Sequence, residues 1–265
     1  MPKQRADELL VARGLAASRS QAQRLVMAGQ VRAAGQVVAK ASSLLPPDVD
    51  LKVDSGPRFV SRGGEKLAAA IAQFGIGVEG RVCADLGAST GGFTDCLLQH
   101  GAAKVYAIDV GKGQLHWKLR QDPRVVVLEE TNARYVPKLP ELVDIVSVDA
   151  SFISLKTLLP VVRNWLSDAG ALLALIKPQF EAGKSEAGKG KGVIRDPQIH
   201  RQVLHDLLGF AQSQGFSLAG LMRSPLLGPK GNVEFLLWAT NSPPKDFEVS
   251  HFIEPLFANE TGGRS

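Results

Sequence analysis

Between residues 82 and 240 the chain carries seven apolar runs of strand length, and their spacing limits the fold more than any other feature. Val82–Asp85, Lys104–Asp109, Arg124–Leu128, Val143–Asp149 and Ala171–Lys177 alternate with stretches of helical periodicity or turn residues. Continuous apolar strands separated by helices predict a parallel sheet covered on both faces. The last two runs, Phe216–Met222 and Asn232–Thr240, are joined only by Ser-Pro-Leu-Leu-Gly-Pro-Lys-Gly and flanking residues. With no helix to return the chain across the sheet, they have to pair antiparallel. The expected fold class is therefore α/β, a seven-strand, mostly parallel sheet with an antiparallel last strand.

The first of these strands runs into Val82-Cys-Ala-Asp-Leu-Gly-Ala-Ser-Thr-Gly-Gly-Phe93, followed by an amphipathic stretch to Gln99. Strand, tight turn and helix N-terminus place backbone N–H groups around a ligand. Gly87, Gly91 and Gly92 allow close approach of the main chain, but their spacing is not G-x-G-x-x-G, and Asp85 precedes the first glycine. An acid there disfavours a nucleotide diphosphate and suits a cationic, diphosphate-free cofactor such as S-adenosylmethionine. The segment alone leaves an ordinary βα turn open. Asp109, about 20 residues past the turn, is placed to bind ribose hydroxyls. The expected cofactor-binding residues are Asp85, Gly87, Ser89, Thr90, Gly91, Gly92, Phe93, Asp109, Asn132 and Asp149.

Ligands of open α/β sheets bind at the carboxyl ends of the strands. Lys177 closes the apolar run Leu-Leu-Ala-Leu-Ile and must point out of a buried strand end, and Pro178 blocks helical continuation there. Glu234 sits early in the otherwise apolar Val-Glu-Phe-Leu-Leu-Trp, and a buried acid requires a partner, here expected to be a lysine. A desolvated lysine can act as base toward a poor nucleophile such as a ribose hydroxyl, with carboxylates orienting it. A buried ion-pair network at the sheet edge is the structural alternative. No His/Cys cluster calls for a metal. This terminal strand arrangement is that of class I (Rossmann-like) methyltransferases and separates the chain from dehydrogenases.

The net charge of +5 is concentrated upstream. Residues 1–45 hold seven basic residues against Asp7 and Glu8, so this segment carries the whole excess. Helices are expected over residues 5–13 and from Ser18 to Ala28, the latter opened by a Ser18-x-x-Gln21 capping box. Short strands follow, turning at Gly35. Arg5-Ala-Asp-x-Leu-Leu, Ser18-Arg-Ser-Gln-Ala-Gln-Arg-Leu, Gly29-Gln-Val and Gly35-Gln-Val-Val resemble the alpha-L RNA-binding module. Its basic face would be drawn from Arg13, Arg19 and Arg24, since such modules read shape and phosphate. The expected organisation is a small α+β module over 1–57, a linker over 58–63, a catalytic domain over 64–240 and a tail over 241–265. No apolar run is long enough to span a membrane. Cys83 and Cys96 read as reduced core residues, in keeping with a cytoplasmic protein.

Ser61-Arg-Gly-Gly-Glu-Lys-Leu67, Asp85-Leu-Gly-Ala-Ser-Thr-Gly-Gly-Phe-Thr94, Asp109-Val-Gly-Lys-Gly-Gln-Leu115, Asp149-Ala-Ser-Phe-Ile-Ser154, Lys177-Pro-Gln-Phe-Glu181, Gly192-Val-Ile-Arg-Asp-Pro197 and Gly231-Asn-Val-Glu-Phe235 together resemble the TlyA family. That family joins the alpha-L module to an FtsJ-like methyltransferase domain. The resemblance implies a catalytic tetrad of Lys66, Asp149, Lys177 and Glu234. It implies S-adenosylmethionine-dependent 2′-O-methylation of cytidine in ribosomal RNA or ribosomal subunits. The expected oligomeric state is a monomer. Lys177 would be the base, Lys66 and Glu234 its tuning partners, and Asp149 the group aligning substrate or donor. Arg62, inside the first motif, joins the expected RNA contacts. The Gly/Lys-rich stretch between Phe180 and Arg195 reads as a basic lid over a polyanion. Two other readings are an RNA-binding assembly factor with a vestigial donor site and, from the family's hemolysin label, a membrane-active protein.

Overall fold

The structure, a computed structural model, describes residues 2–54, 56–183, 192–243 and 248–258. It divides into two compact units, residues 1–58 and 59–265.

In the smaller unit, helices α1 (Ala6–Ala12) and α2 (Arg19–Met27) pack with a three-stranded antiparallel sheet. That sheet is ordered β3 (Gln36–Val37), β2 (Val31–Ala33), β5 (Leu51–Val53), while β1 (Gln4–Arg5) pairs with β4 (Leu44–Leu45). The Ser18 side chain accepts from Gln21 N at 3.2 Å, as the capping motif predicts. Gln21 reaches back to Ala17 N rather than Ser18 N, one residue upstream of the usual reciprocal bond. Leu9, Leu10, Ala22, Val26, Val31 and Leu51 form the core. Gly35 turns the β2–β3 hairpin at φ 80°, a left-handed conformation that favours glycine.

The larger unit opens with α3 (Gly63–Phe74), followed by β6 (Val82–Leu86), α4 (Gly92–Gln99), β7 (Lys104–Ile108), α5 (Trp117–Arg120) and β8 (Val125–Leu128). Next come β9 (Val143–Val148), α6 (Leu155–Arg163), β10 (Leu166–Ile176), α7 (Pro178–Glu181), α8 (Pro197–Ser213), β11 (Ser217–Arg223) and β12 (Phe235–Thr240). The sheet order is β11-β12-β10-β9-β6-β7-β8. Strands β6 to β10 are mutually parallel, and β12 runs antiparallel to both β10 and β11. The expected architecture is present. The order reverses direction at β6, so the crevice beyond the carboxyl ends of β6 and β9 is the topological switch point.

Three boundaries differ from expectation. Strand β10 begins at Leu166, with a register slip between Leu166 and Ala171 that the polar Ser167-Asp168 and Gly170 obscure in the sequence. Strand β12 begins at Phe235, so Glu234 lies just ahead of the ladder rather than within it. Lys177 is extended, as a residue before proline should be, but Pro178 opens the short helix α7 as its first residue instead of only stopping one.

Residues expected to form a free connector are anchored to the larger unit. Phe59 is 2% exposed in its core, and Val60 N donates to the buried Asp95 carboxylate at 2.9 Å. From the expected tail, α9 (Ser250–Ile253) and Phe257 pack down; Phe257 is fully buried, and the Arg201 guanidinium lies 4.4 Å from its ring centre. Both cysteines are buried thiols outside any disulfide, and burial pushes the Cys83 thiol up to about 12. Among the described residues no helix is long and apolar enough to cross a membrane. The Gly/Lys-rich stretch read as a lid falls, over residues 184–191, outside the described residues.

Helix α3 approaches α4 closely because both begin on glycines. A Cβ on Gly64 would lie 2.3 Å from the Phe59 ring, and one on Gly92 would lie 3.0 Å from Gly64 N. This contact seats Lys66, on the next part of α3, beside the glycine turn. Gly64→Ala is expected to destabilise the larger unit by about 1–3 kcal/mol through overpacking, read as a lower urea midpoint with unchanged slope.

Candidate active site

Strand β6 delivers the chain to the glycine turn, and the turn is held open by its neighbours. Gly87 N donates to Ile108 O at 2.8 Å, and Gly87 adopts φ 84°. A side chain there would meet Asp149 O at 2.7 Å, so only glycine lets β6 and β9 end side by side. Ser89 is also left-handed, at φ 48°, and its N–H donates to Asp109 Oδ2 at 2.8 Å. Asp109 takes Gly111 N on its other oxygen at 2.7 Å. The carboxylate thus ties the first loop to the second.

Two adjoining cavities flank this turn. The smaller, about 620 Å³, is walled by Ile108, Asp109, Val110, Asn132, Ala133 and Arg134 among others. The larger, about 890 Å³, holds Lys66, Lys177 and Glu234 together with Ser61, Arg62, Thr90, Gly92 and Phe93. Gly87, Ser89, Asp149, Ser151 and Phe152 line both. One space suits a nucleoside, beside an acid for its hydroxyls. The other suits a reacting group beside two lysines. With carboxylates at Asp109 and Asp149 facing the turn, the donor set fits a cationic nucleoside sulfonium and disfavours a diphosphate.

The four expected catalytic residues meet in the larger cavity as two pairs. Lys66 Nζ donates to Glu234 Oε2 at 2.5 Å, with the side chains 8% and 1% exposed. This identifies the lysine that Glu234 requires. Lys177 Nζ stands 2.6 Å from Asp149 Oδ1, close as a charge pair but poorly directed as a hydrogen bond. Its directed bond goes to Ser151 Oγ at 2.8 Å. The Phe180 ring centre lies 5.9 Å from the same Nζ.

Several expected contacts are placed differently. Asp85 is fully buried and walls neither cavity. Its Oδ2 accepts from Thr94 N and Thr94 Oγ1 at 2.9 and 2.7 Å, and Ser147 Oγ donates to Oδ1 at 3.1 Å. It therefore fixes the start of α4 rather than reaching into either cavity. Gly91 likewise turns at φ 96° with its open side against Leu119 and Leu115, a packing role. Asn132 caps the turn Ala133–Tyr135 by accepting from Arg134 N, at the wall of the smaller cavity.

The arginines read as RNA contacts also diverge. Arg13 donates to the carbonyls of Val49 and Pro47, closing a loop of the small unit. Arg19 pairs with the buried Asp7 at 3.0 Å. Arg24 donates to Ser20 Oγ and makes no ion pair among the described residues. Arg62 donates to Leu227 O at 2.9 Å and lines the larger cavity.

Sequence reasoning passed over three site residues. Ser151 holds Lys177. Phe152 is 90% exposed at φ 64°, an unusual backbone for an aromatic residue, with Phe180 at 5.0 Å between ring centres. Asn232 is buried and links Gly192 O to Ile194 N, bracing the chain before Glu234. The signal for the first two was the Asp149-Ala-Ser-Phe-Ile-Ser154 motif, which contains both.

Comparison with known proteins gives a consistent result. The FtsJ-like methyltransferase family matches residues 59–241, and the S4 domain family matches residues 4–51. A Mycobacterium tuberculosis protein named 16S/23S rRNA (cytidine-2′-O)-methyltransferase TlyA is 49% identical over 240 residues, covering 88% of each chain. Brachyspira hyodysenteriae Hemolysin A is 43% identical over 236 residues, covering 88% of this chain and 98% of its own. Among solved structures, a Streptococcus thermophilus protein described as a hemolysin is similar with TM-score 0.72 and 44% identity, covering 98% of this chain and 96% of that one.

The buried Asp85 carries a pH signature. Burial pushes its carboxyl up to about 7, the charge of Asp149 acts in the same direction, and the Thr94 and Ser147 donors oppose both. The unfolded chain releases this proton near the ordinary value of about 4. The folded state keeps it until pH 7, so this group favours the fold most below pH 4 and loses that contribution as pH rises to 7. Relative to Asp85→Asn, the native protein should gain about 2 kcal/mol of stability between pH 8 and pH 5, measured by urea unfolding. A pH-independent difference would place the ionised form in the fold throughout.

Proposed function

Since the chain belongs to the FtsJ-like methyltransferase family and carries an S4 domain, we propose that it methylates the 2′-hydroxyl of a cytidine in ribosomal RNA. The observation that carries the reading is the meeting of Lys66–Glu234 and Lys177–Asp149 in one cavity beside the glycine turn. A module that only bound RNA would have no use for two desolvated lysines there. S-adenosylmethionine, when bound, supplies a sulfonium methyl and takes up the electron pair of the breaking carbon–sulfur bond. Gly87, Ser89 and Asp109 would hold its nucleoside part in the smaller cavity.

Lys177 acts as the base. Its neutral amine accepts the 2′-hydroxyl proton as the ribose oxygen bonds to the methyl carbon, and it ends as an ammonium beside Asp149. Lys66 carries its charge already neutralised by Glu234, so it adds a donor near the ribose without an uncompensated buried cation. Asp149, shared by both cavities, aligns the two reactants. Phe152 offers an exposed ring at the mouth, and unstacked bases are commonly held on such rings. Ribosomal RNA as substrate places the protein with ribosomes, in the cytoplasm.

Lys177→Ala should lower methyl transfer by at least about 10²-fold, the scale of a lost general base, while RNA affinity stays within about twofold. Incorporation of labelled methyl groups and mapping of 2′-O-methyl sites in rRNA test both activity and target. Transfer retained in Lys177→Ala would remove that residue from the base role. In the small unit, Arg24→Ala should weaken RNA binding and reduce the salt slope of log affinity by about one, because its guanidinium has no acid partner among the described residues.

A further inference from the structure

Lys177 is held by two neighbours of different character. Asp149 Oδ1 approaches its Nζ to 2.6 Å, yet the geometry gives an attraction with little direction. Ser151 Oγ, at 2.8 Å, is the acceptor of a directed bond. A neutral amine has two hydrogens and one lone pair, and only the lone pair can take a proton. In the ion pair Asp149 draws the ammonium near; once the ammonium has lost a proton to solvent, the directed bond to Ser151 is what fixes the rotation of the amine about the Cε–Nζ axis. We propose that Ser151 is a positioning residue which orients the Lys177 lone pair toward the 2′-hydroxyl. This rests on the reading of Lys177 as the base.

The surrounding chain supports that role. Ser151 lies on the wall shared by both cavities, where donor and acceptor must meet. The adjacent Phe152 adopts φ 64°, a conformation costing roughly 1 kcal/mol or more in a bulky residue. That turn leaves Ser151 facing Lys177 while the Phe152 ring faces out, 90% exposed. Among the described residues Ser151 makes no other side-chain hydrogen bond, so its hydroxyl oxygen serves the lysine and its own hydrogen points to the cavity. Neither neighbour of Lys177 is replaceable by the other charged groups of the cavity. Lys66 is spoken for by Glu234, and Arg62 and Lys230 are cations that cannot accept.

In transfer, one N–H of Lys177 stays on Ser151 and a second is drawn to Asp149. The lone pair receives the hydroxyl proton while the oxygen–methyl bond forms and the carbon–sulfur bond breaks. Losing Ser151 frees the amine to rotate, which costs rate and leaves binding intact.

The test uses the full chain with rRNA substrate and compares Ser151→Ala, Ser151→Thr and Lys177→Ala. Ser151→Ala should lower kcat at least tenfold with KM for RNA and for S-adenosylmethionine unchanged, and Ser151→Thr, which keeps the hydroxyl, should recover most of it. An unchanged kcat in Ser151→Ala, a loss confined to KM, or no recovery with threonine would overturn the proposal. If Lys177→Ala is inactive while Ser151→Ala is not, only the role of Ser151 fails. Should Lys177→Ala stay active, the catalytic reading fails with it.

Discussion

The Lys66–Glu234 ion pair is the contact on which the larger unit depends. Two charges taken out of water are costly to bury, and their attraction compensates only when the geometry is close and the partners are fixed. Here the partners are 168 residues apart in sequence, on the first helix of the unit and just ahead of the last strand. Everything between them has to be in place for the pair to form: α3 seated on α4 through Gly64 and Gly92, and β12 inserted antiparallel between β10 and β11. The net gain in stability from such a pair is small, because burying both charges offsets much of their attraction. Removal of either partner leaves an uncompensated charge in the floor of the larger cavity.

A second constraint is the division of work among the carboxylates at the strand ends. Asp85, Asp109 and Asp149 sit close together, yet each has a different environment. Asp85 is enclosed, with three donors on it, and shapes α4. Asp109 receives two backbone N–H groups and fixes the loops over the smaller cavity. Asp149, like Asp109, is partly open, with 24% of its side chain exposed, and it faces a lysine. Burial and bonding, rather than residue type, separate the structural acid from the two that border ligand space.

The sheet and its strand directions were legible because they follow from apolar runs and the absence of a helix before β12. Glu234 needed a lysine by the same kind of local reasoning, since an acid in an apolar run has few alternatives. Its identity as the partner of Lys66 is a tertiary fact that no window of sequence contains. Asp85 was misplaced for a different reason. Strand β6 is buried on both faces, so no alternation of polar and apolar residues reveals which side an acid points to. Arg13 and Arg19 followed the charge pattern of the small unit, but basic residues there also satisfy carbonyls 34 to 36 positions away and the buried Asp7. Charge counts do not register such internal use.

The long span of the Lys66–Glu234 pair sets an order of maturation during synthesis. The core of the small unit comes from residues 6–51 and is complete once that stretch has left its own ribosome. The larger unit cannot close its cavity until residue 234 has emerged. A nascent chain thus acquires its basic module well before it acquires a finished set of charges. A chain interrupted between these points would keep that module yet lack the groups for transfer, a separation that follows from the position of one glutamate.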